Sequence, residues 1–156
     1  MEGLNRTHRQ TMVYFNLPPE QLEKSYGPGK WTVKQILHHL SDAETVMYDR
    51  LRRVISEPRQ VIWAFDQEAW AKHLNYEQRP ISLSAATYDA VRQQVIYLAQ
   101  NFYLSHGYKE FVHSETGVRT LKDEFEKIAW HNESHLQQIE RALGTFWSGK
   151  SSEQQH

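Results

Sequence analysis

Apolar side chains recur every three or four residues in four segments of the chain, a spacing that places them on one face of a helix. The four predicted helices extend over about residues 4–15, from Thr32 to Pro58, over about 84–105, and from Thr120 to Gly144. The second and fourth have the clearest beginnings, because Thr32 and Thr120 each stand three residues before a side chain that can complete a capping box. Gly144 suits the C-terminal turn of the fourth helix.

Four amphipathic helices without a convincing strand pattern predict an all-α fold, and a four-helix bundle buries their apolar faces together. A length of 156 residues is typical of one hydrophobic core, so residues 1–147 are predicted to form a single domain. Residues 148–156 contain no apolar side chain and are predicted to be a frayed tail. The connection 58–83 can span the length of the second helix, so this long crossover allows the third helix to run parallel to the second.

The charge balance argues against polyanionic partners. With 18 Lys and Arg against 19 Asp and Glu, the formal net charge is -1, which provides no positive field for nucleic acid or an anionic membrane surface. The longest apolar runs contain five residues, far fewer than the roughly 18 of a membrane span. The first residues lack the apolar centre of a secretory signal, so we expect a cytoplasmic protein. The absence of cysteine excludes disulfides, thiolate metal ligands and a cysteine nucleophile.

Nine histidines are the unusual feature of the composition. His131 and His135 are four residues apart, which places both imidazoles on one face of the fourth helix, at the edge of its apolar stripe. On the second helix, His39 lies at the border of the stripe, whereas His38 is expected to point almost directly away from it. Antiparallel packing of the two helices would bring His39 to the depth of His135.

These imidazoles predict an open metal site. One divalent cation bound by His39, His131 and His135 would keep a coordination position for water or substrate, as catalytic sites do. Zinc or nickel is the first choice for such nitrogen ligands, and iron, manganese and copper are the other candidates. The alternative is that the three are border histidines, hydrogen-bonded to their neighbours without a metal. The sequence leaves this choice open.

Three carboxylates are candidates for catalytic acid or base groups. Glu44 interrupts the apolar stripe of the second helix, so it either orients a ligand histidine or pairs with an arginine. Asp66 and Glu68 stand on the long connection and could reach the site if that segment folds over it. Asn132 occupies the position at which a zinc protease helix carries its glutamate, which argues against protease chemistry.

Four blocks of the sequence carry a resemblance to a known family. They are Trp31-x-Val33 leading to His39-Leu40-Ser41-Asp42-Ala43-Glu44, then Phe65-Asp66-Gln67-Glu68-Ala69-Trp70, then His113-x-Glu115-x-Gly117 before Thr120-Leu121, and finally His131-x-x-x-His135-Leu136-x-Gln138-Ile139. In this order they resemble the DinB-like family of metalloenzymes, also called the YfiT-like family. The resemblance implies a four-helix bundle whose metal is held by residues that map onto His39, His131 and His135. Asn132 departs from the family, which often has aspartate there.

The resemblance also implies an activity. Family members include S-transferases that depend on low-molecular-weight thiols such as bacillithiol, and metal-dependent hydrolases. For this chain, it implies a small thiol and a small-molecule electrophile as partners, and a homodimer as the assembly. A bound cation would supply either nucleophile, because it deprotonates a coordinated thiol and acidifies a coordinated water. The contrasting hypothesis is a non-catalytic dimeric metal-binding bundle that acts through protein partners.

Overall fold

The computed structural model describes residues 1–57 and 59–145, which contain six helices and three short strands. The helices are α1 (Glu2–Phe15), α2 (Pro19–Leu22), α3 (Val33–Ser56), α4 (Gln67–His73), α5 (Ile81–His106) and α6 (Leu121–Leu143), and the strands are β1 (Val61–Ile62), β2 (Glu110–His113) and β3 (Gly117–Thr120). In this part of the chain, no helix has the length and apolar character needed to cross a membrane. Pro58, the predicted end of the second helix, and the predicted frayed tail 148–156 lie outside the described residues.

The four long helices α1, α3, α5 and α6 form the predicted bundle, and the predicted capping residues set the ends of two of them. Thr32 accepts a hydrogen bond from the backbone N–H of Gln35 at the start of α3, and Thr120 accepts one from the N–H of Asp123 at the start of α6. Gly144 follows α6 with a left-handed φ of 73°, which glycine adopts without a steric penalty. These positions confirm the helix ends predicted from the sequence.

The long crossover makes α5 parallel to α3. Contacts between these helices advance together along the chain, with Ser84 at His38 and Arg92 at Glu44. In contrast, α6 runs antiparallel to α3, which brings the histidines of α6 toward the N-terminal half of α3. The bundle therefore has the predicted connectivity. The connection between α3 and α5 runs back along the length of α3 before α5 begins.

A three-stranded sheet, which the sequence pattern did not predict, packs at one end of the bundle. Its order is β1-β2-β3, with β1 parallel to β2 and β2 antiparallel to β3. Ile62 and Phe111 point into the core, and Gly117 begins β3 with a φ of 75°. Strands of two to four residues are too short to show an alternation above chance, which is why the pattern missed them. The turn between β2 and β3 reaches the cavity beside His39 and His131.

A polar layer separates two apolar clusters inside the bundle. On α3, for example, Leu40 belongs to one cluster and Met47 to the other, and Glu44 lies between them. The fully buried Arg92 binds both carboxylate oxygens of Glu44, at 2.5 and 2.9 Å, and donates to Oδ1 of Asn132 at 2.7 Å. A buried charge is tolerated when it is paired and hydrogen-bonded in this way. The stability of the polar layer therefore depends on the bonds of Arg92 to Glu44 and Asn132.

The helical wheel, which placed His38 almost opposite the apolar stripe of α3, did not show that this position is buried. Its side chain is buried, and its Nδ1 lies 2.7 Å from Oγ of Ser84 and 3.3 Å from Nε of Arg79. The physical reason is the crossover, whose residues Tyr76 and Arg79 cover this face of α3 on their way to α5. A wheel drawn for one helix cannot show that a connecting segment buries its outer face.

Candidate metal centre

Three imidazole nitrogens converge between α3 and α6. The Nε2 atom of His131 lies 3.0 Å from that of His39 and 3.2 Å from that of His135. One ligand nitrogen from each residue lies within 4.8 Å of the other two. The structure thus brings together all three residues that the sequence singled out as metal ligands, and we call them the three-histidine cluster.

The cluster is held by regular structure and by aromatic neighbours. His131 and His135 extend from successive turns of α6, so their spacing is fixed by the helix itself. His39 is buried on α3, with the ring of Trp31 centred 5.1 Å away and the ring of Phe65 stacked at 6.3 Å. These rings leave His39 little freedom to rotate away from α6. The three nitrogens are therefore positioned before any ligand arrives.

Burial keeps the cluster uncharged at neutral pH. Desolvation, together with the charge of His135, lowers the pKa of His39 to about 3. Desolvation, followed by the neighbouring histidines and Lys127, lowers the pKa of His131 to about 2. The pKa of His135 is also lowered by burial, against a smaller opposing effect of its bond to Gln138. Neutral imidazole is the form that binds metal, so no proton has to be displaced near pH 7.

The hydrogen bonding of the cluster fits a cation better than it fits three free histidines. Nδ1 of His135 lies 2.8 Å from Oε1 of Gln138, an oxygen that only accepts, so the proton of this ring is on Nδ1 and its Nε2 carries a lone pair. The Nε2 atom of His131 carries at most one proton, so it can donate a hydrogen bond to only one of the two Nε2 atoms that lie close to it. A cation accepts all three lone pairs at once. In tetrahedral coordination with Zn–N bonds of about 2.0–2.1 Å, the ligand nitrogens stand about 3.3 Å apart. The two Nε2–Nε2 separations of His131, 3.0 and 3.2 Å, are close to this value.

Gln138→Leu is expected to weaken metal binding by about 10- to 100-fold, because it removes the group that fixes the tautomer of His135. The measurement is a competition titration with a chromophoric chelator. Gln137→Leu is the matched control, since Gln137 is the exposed neighbour on the same helix and should leave the affinity unchanged. Equal affinities of the two variants would show that Gln138 does not act on the metal ligand.

The stability of the metal-free protein is expected to decline as the pH falls below 6.5. His39 and His131 have folded-state pKa values of about 3 and about 2, whereas in the unfolded chain they take up protons near pH 6.5. Their contribution is complete above pH 6.5, and below it each histidine costs about 1.4 kcal/mol of unfolding free energy per pH unit. Urea denaturation at pH 7.5, 6.5 and 5.5 measures the slope. His131→Leu should make it shallower and His73→Ala should not, and a stability that is constant over this range would contradict the assignment.

A cavity of about 300 Å³ opens beside the cluster. It is lined by His39 and His131 from the cluster and by Ala43, Met47, Arg50, Ala64, Phe65, Gln67, His113, Glu115 and Lys127. These residues come from α3, α6, the segment after β1 with the first residue of α4, and the end of β2 with the turn that follows it. A small molecule in this cavity would lie against two of the three histidines.

The carboxylates that the sequence proposed as acids or bases are absent from the lining of this cavity. Glu44 is bound to Arg92 in the core, which is the second of the two alternatives that its position left open. Asp66 caps α4 by accepting hydrogen bonds of 3.0 Å from the N–H groups of Glu68 and Ala69. Glu68 is exposed on α4. Their catalytic roles stay untested predictions, and these positions do not favour them.

The polar cavity residues that the site prediction did not include are Arg50, Gln67, His113, Glu115 and Lys127. The block His113-x-Glu115-x-Gly117 was noticed as part of the family resemblance, but its position beside the cluster depends on how the β2–β3 turn packs. A short run of arginines on a helix is typical of a solvated face, yet the side chain of Arg50 is almost completely buried and donates to the carbonyl of Trp63. No spacing rule on the sequence shows either placement.

The chain is similar to several known proteins. The sequence profile of the DinB superfamily matches residues 4–139. Two proteins of Oceanobacillus iheyensis, each named "Putative metal-dependent hydrolase", are 32% and 30% identical over 139 and 137 residues, which is 89% and 88% of this chain and 79% of each relative. A protein of Halalkalibacterium halodurans with the same name is 27% identical over 139 residues, covering 89% of this chain and 79% of that protein.

One solved structure shows the same fold. It is described as "YfiT from Bacillus subtilis is a probable metal-dependent hydrolase with an unusual four-helix bundle topology". It matches with a TM-score of 0.80 and 23% sequence identity, covering 92% of this chain and 82% of that chain. At this level of identity the likeness establishes the architecture, including the bundle that α1, α3, α5 and α6 form here.

Proposed function

The chain belongs to the DinB superfamily, and on this premise we propose that it is a metal-dependent enzyme that holds one divalent cation, zinc or nickel, through His39, His131 and His135. The observation that carries the proposal is the convergence of three neutral Nε2 atoms at the wall of a cavity. The names of the relatives from Oceanobacillus iheyensis support a metal-dependent reaction. Three histidine ligands are also the number found in catalytic zinc sites that keep a position for a reactant.

The residues around the cluster have separate tasks in this proposal. Gln138 holds His135 in the tautomer that presents Nε2, and Trp31 and Phe65 cover His39 and limit the access of water from their side. The cavity, in which Phe65 forms part of the wall beside His39, receives the substrate. When bound, the cation lowers the pKa of a coordinated water toward about 7 or deprotonates a coordinated thiol, so that a nucleophile is available at neutral pH.

Water is the nucleophile that the names of the relatives favour, and the chain would then be a hydrolase. The second candidate is an S-transferase that uses a low-molecular-weight thiol in place of water. One observation favours it: the chain contains no cysteine, so no thiolate of its own competes for the cation. In either case the other reactant is a small electrophile of a size that the cavity of about 300 Å³ accepts.

A cobalt-substituted protein separates these candidates. Untagged protein is loaded with one equivalent of Co²⁺, its d–d spectrum is recorded during titration with glutathione and bacillithiol, and a panel of esters and amides is assayed with and without thiol. A spectrum that is unchanged by thiol, together with hydrolysis that chelation abolishes, supports the hydrolase. A thiol-dependent change of the spectrum supports the S-transferase.

Two results would count against an enzyme. Stoichiometric cobalt binding with neither a thiol effect nor turnover would favour the non-catalytic metal-binding bundle. Failure of Co²⁺ to bind in a 1:1 ratio would contradict the proposed site itself. His73→Ala is the control for incidental histidine binding, because His73 is exposed on α4 away from the cluster.

A further inference from the structure

The turn between β2 and β3 fixes the protonation of one cavity histidine. Nδ1 of His113 lies 3.2 Å from the backbone nitrogen of Glu115 and 3.3 Å from that of Thr116. Both backbone groups are N–H donors, so Nδ1 has to be the acceptor and carries no proton. A neutral imidazole has one N–H, which is therefore on Nε2. The turn thus selects the Nε2–H tautomer of His113.

This tautomer leaves a donor for the cavity. The ring of His113 is buried, and it lines the cavity together with His39 and His131. Among the described residues no hydrogen-bond acceptor is recorded for its Nε2, whereas its Nδ1 is occupied by the turn. The backbone of His113 is held in the sheet between Ile62 and Gly117, so the ring cannot easily move away. Nε2–H is therefore the polar group that the ring can offer to a molecule in a cavity that it lines.

The turn that positions His113 is itself tied to the crossover. Ser114 donates its backbone N–H to the carbonyl of Ile62 at 2.9 Å, and its Oγ accepts from the N–H of Ala64 at the same distance. Ala64 and the adjacent Phe65 form another part of the cavity wall. Two hydrogen bonds therefore hold the segment that carries His113 against the segment that forms this part of the cavity wall.

The charges around the cavity favour a neutral donor and a neutral ligand. Burial, then the positive charges of Arg50 and Lys127, lower the pKa of His113, and these effects outweigh the opposing charges of Glu124 and Glu115. The ring stays uncharged near pH 7. The two cations are balanced by Glu115 in the cavity wall and by Glu124, which lies 3.4 Å from Arg50. Because these charges balance, the cavity favours a substrate oxygen that is neutral at first and becomes negative during the reaction. A substrate oxygen that carries a full charge from the start suits this cavity less well.

We propose that His113 is a catalytic residue whose Nε2–H donates a hydrogen bond to the carbonyl oxygen of an acyl substrate in this cavity. The inference rests on the proposed function and extends it to a substrate class. In the attack, the electron pair of the nucleophile forms the bond to the carbonyl carbon, and the π pair of the C=O bond moves onto the oxygen. That oxygen accepts the hydrogen bond more strongly as its charge grows, and the proton stays on Nε2.

The first test uses acetohydroxamate, whose oxygens resemble the charged acyl oxygen, as the probe for cobalt-substituted protein. His113→Asn keeps an acceptor that can bond to the N–H groups of the turn but is too short to place a donor in the cavity. We expect the probe to bind this variant at least about 10-fold more weakly than wild type, at an unchanged cobalt stoichiometry. His73→Asn should bind the probe as wild type does. Equal affinity of His113→Asn and wild type would overturn the proposal.

The second test needs no variant and remains decisive if His113→Asn fails to fold. In zinc-loaded protein labelled with ¹⁵N-histidine, NMR should show His113 as the Nε2–H tautomer and should shift its Nε2–H signal when acetohydroxamate is added. An Nδ1–H tautomer, or an unshifted signal at saturating probe, would overturn the role of His113. Wild-type protein that binds no metal would instead refute the proposed function, so the two failures are distinguishable.

Discussion

Replacing His39 with alanine is expected to abolish stoichiometric metal binding at micromolar protein. The remaining His131 and His135 lie on one helix and supply only two of the three converging nitrogens. Loss of a supporting residue costs about 10- to 100-fold in metal affinity, and loss of a ligand should cost more than the upper end of that range. Isothermal titration of untagged, metal-free protein with Zn²⁺ measures the affinity and the stoichiometry together.

His73→Ala is the matched control for this experiment, because it also removes one histidine but at an exposed position on α4. It should bind one zinc ion with wild-type affinity. If His39→Ala retained one tightly bound zinc, the cation would have to be held by other residues, and the three-histidine cluster would lose its assigned role. Circular dichroism of the metal-free variant checks that the helical fold is intact, because alanine leaves a void in place of the buried ring of His39.

Glu44→Ala is expected to destabilise the protein by about 3–5 kcal/mol. The change leaves the guanidinium of Arg92 fully buried without its carboxylate partner, and a buried charge that has lost its partner is among the most costly defects in a core. The remaining acceptors of Arg92, the carbonyl of Leu4 and the side chains of Thr7 and Asn132, carry no formal charge to balance it. Urea denaturation in the absence of metal measures the difference.

Asp49→Ala provides the comparison on the same helix. Asp49 pairs with Arg52 and Arg53 at the surface, where an exposed ion pair contributes about 0–1 kcal/mol. Combining Glu44→Met with Arg92→Met should recover much of the lost stability, because it removes both charges and fills the space with apolar atoms. A loss below about 1 kcal/mol for Glu44→Ala would show that the buried pair does not hold the polar layer together.

Much of the fold was predictable because the capping residues and the apolar stripes indicate the same helices. The capping boxes at Thr32 and Thr120 depend on three consecutive positions after each cap, so the sequence alone fixes where α3 and α6 begin. The pairing of His39 with His131 was predictable for a similar reason. Each histidine lies at the edge of an apolar stripe, and two helices that pack by those stripes must bring their edges together.

The features that escaped prediction depend on contacts between distant segments. Glu44 could be recognised as a buried carboxylate, but its partner is 48 positions away on a helix whose direction the long crossover decides. The burial of His38 escaped prediction because it is due to a connecting segment that covers it. The strand β2, which carries His113 into the cavity wall, has only four residues and no readable period. A small thiol cofactor, a homodimer and a cytoplasmic location remain predictions from the resemblance and the composition.

The most direct measurement of the central claim is X-ray absorption spectroscopy of untagged protein reconstituted with one equivalent of zinc. The account predicts three imidazole nitrogens at about 2.0–2.1 Å, with the remaining coordination supplied by oxygen from solvent. His39→Ala should lower the number of imidazole nitrogens to two or release the metal. A wild-type spectrum with two or fewer imidazoles, or one that His39→Ala leaves unchanged, would contradict a cation held jointly by α3 and α6.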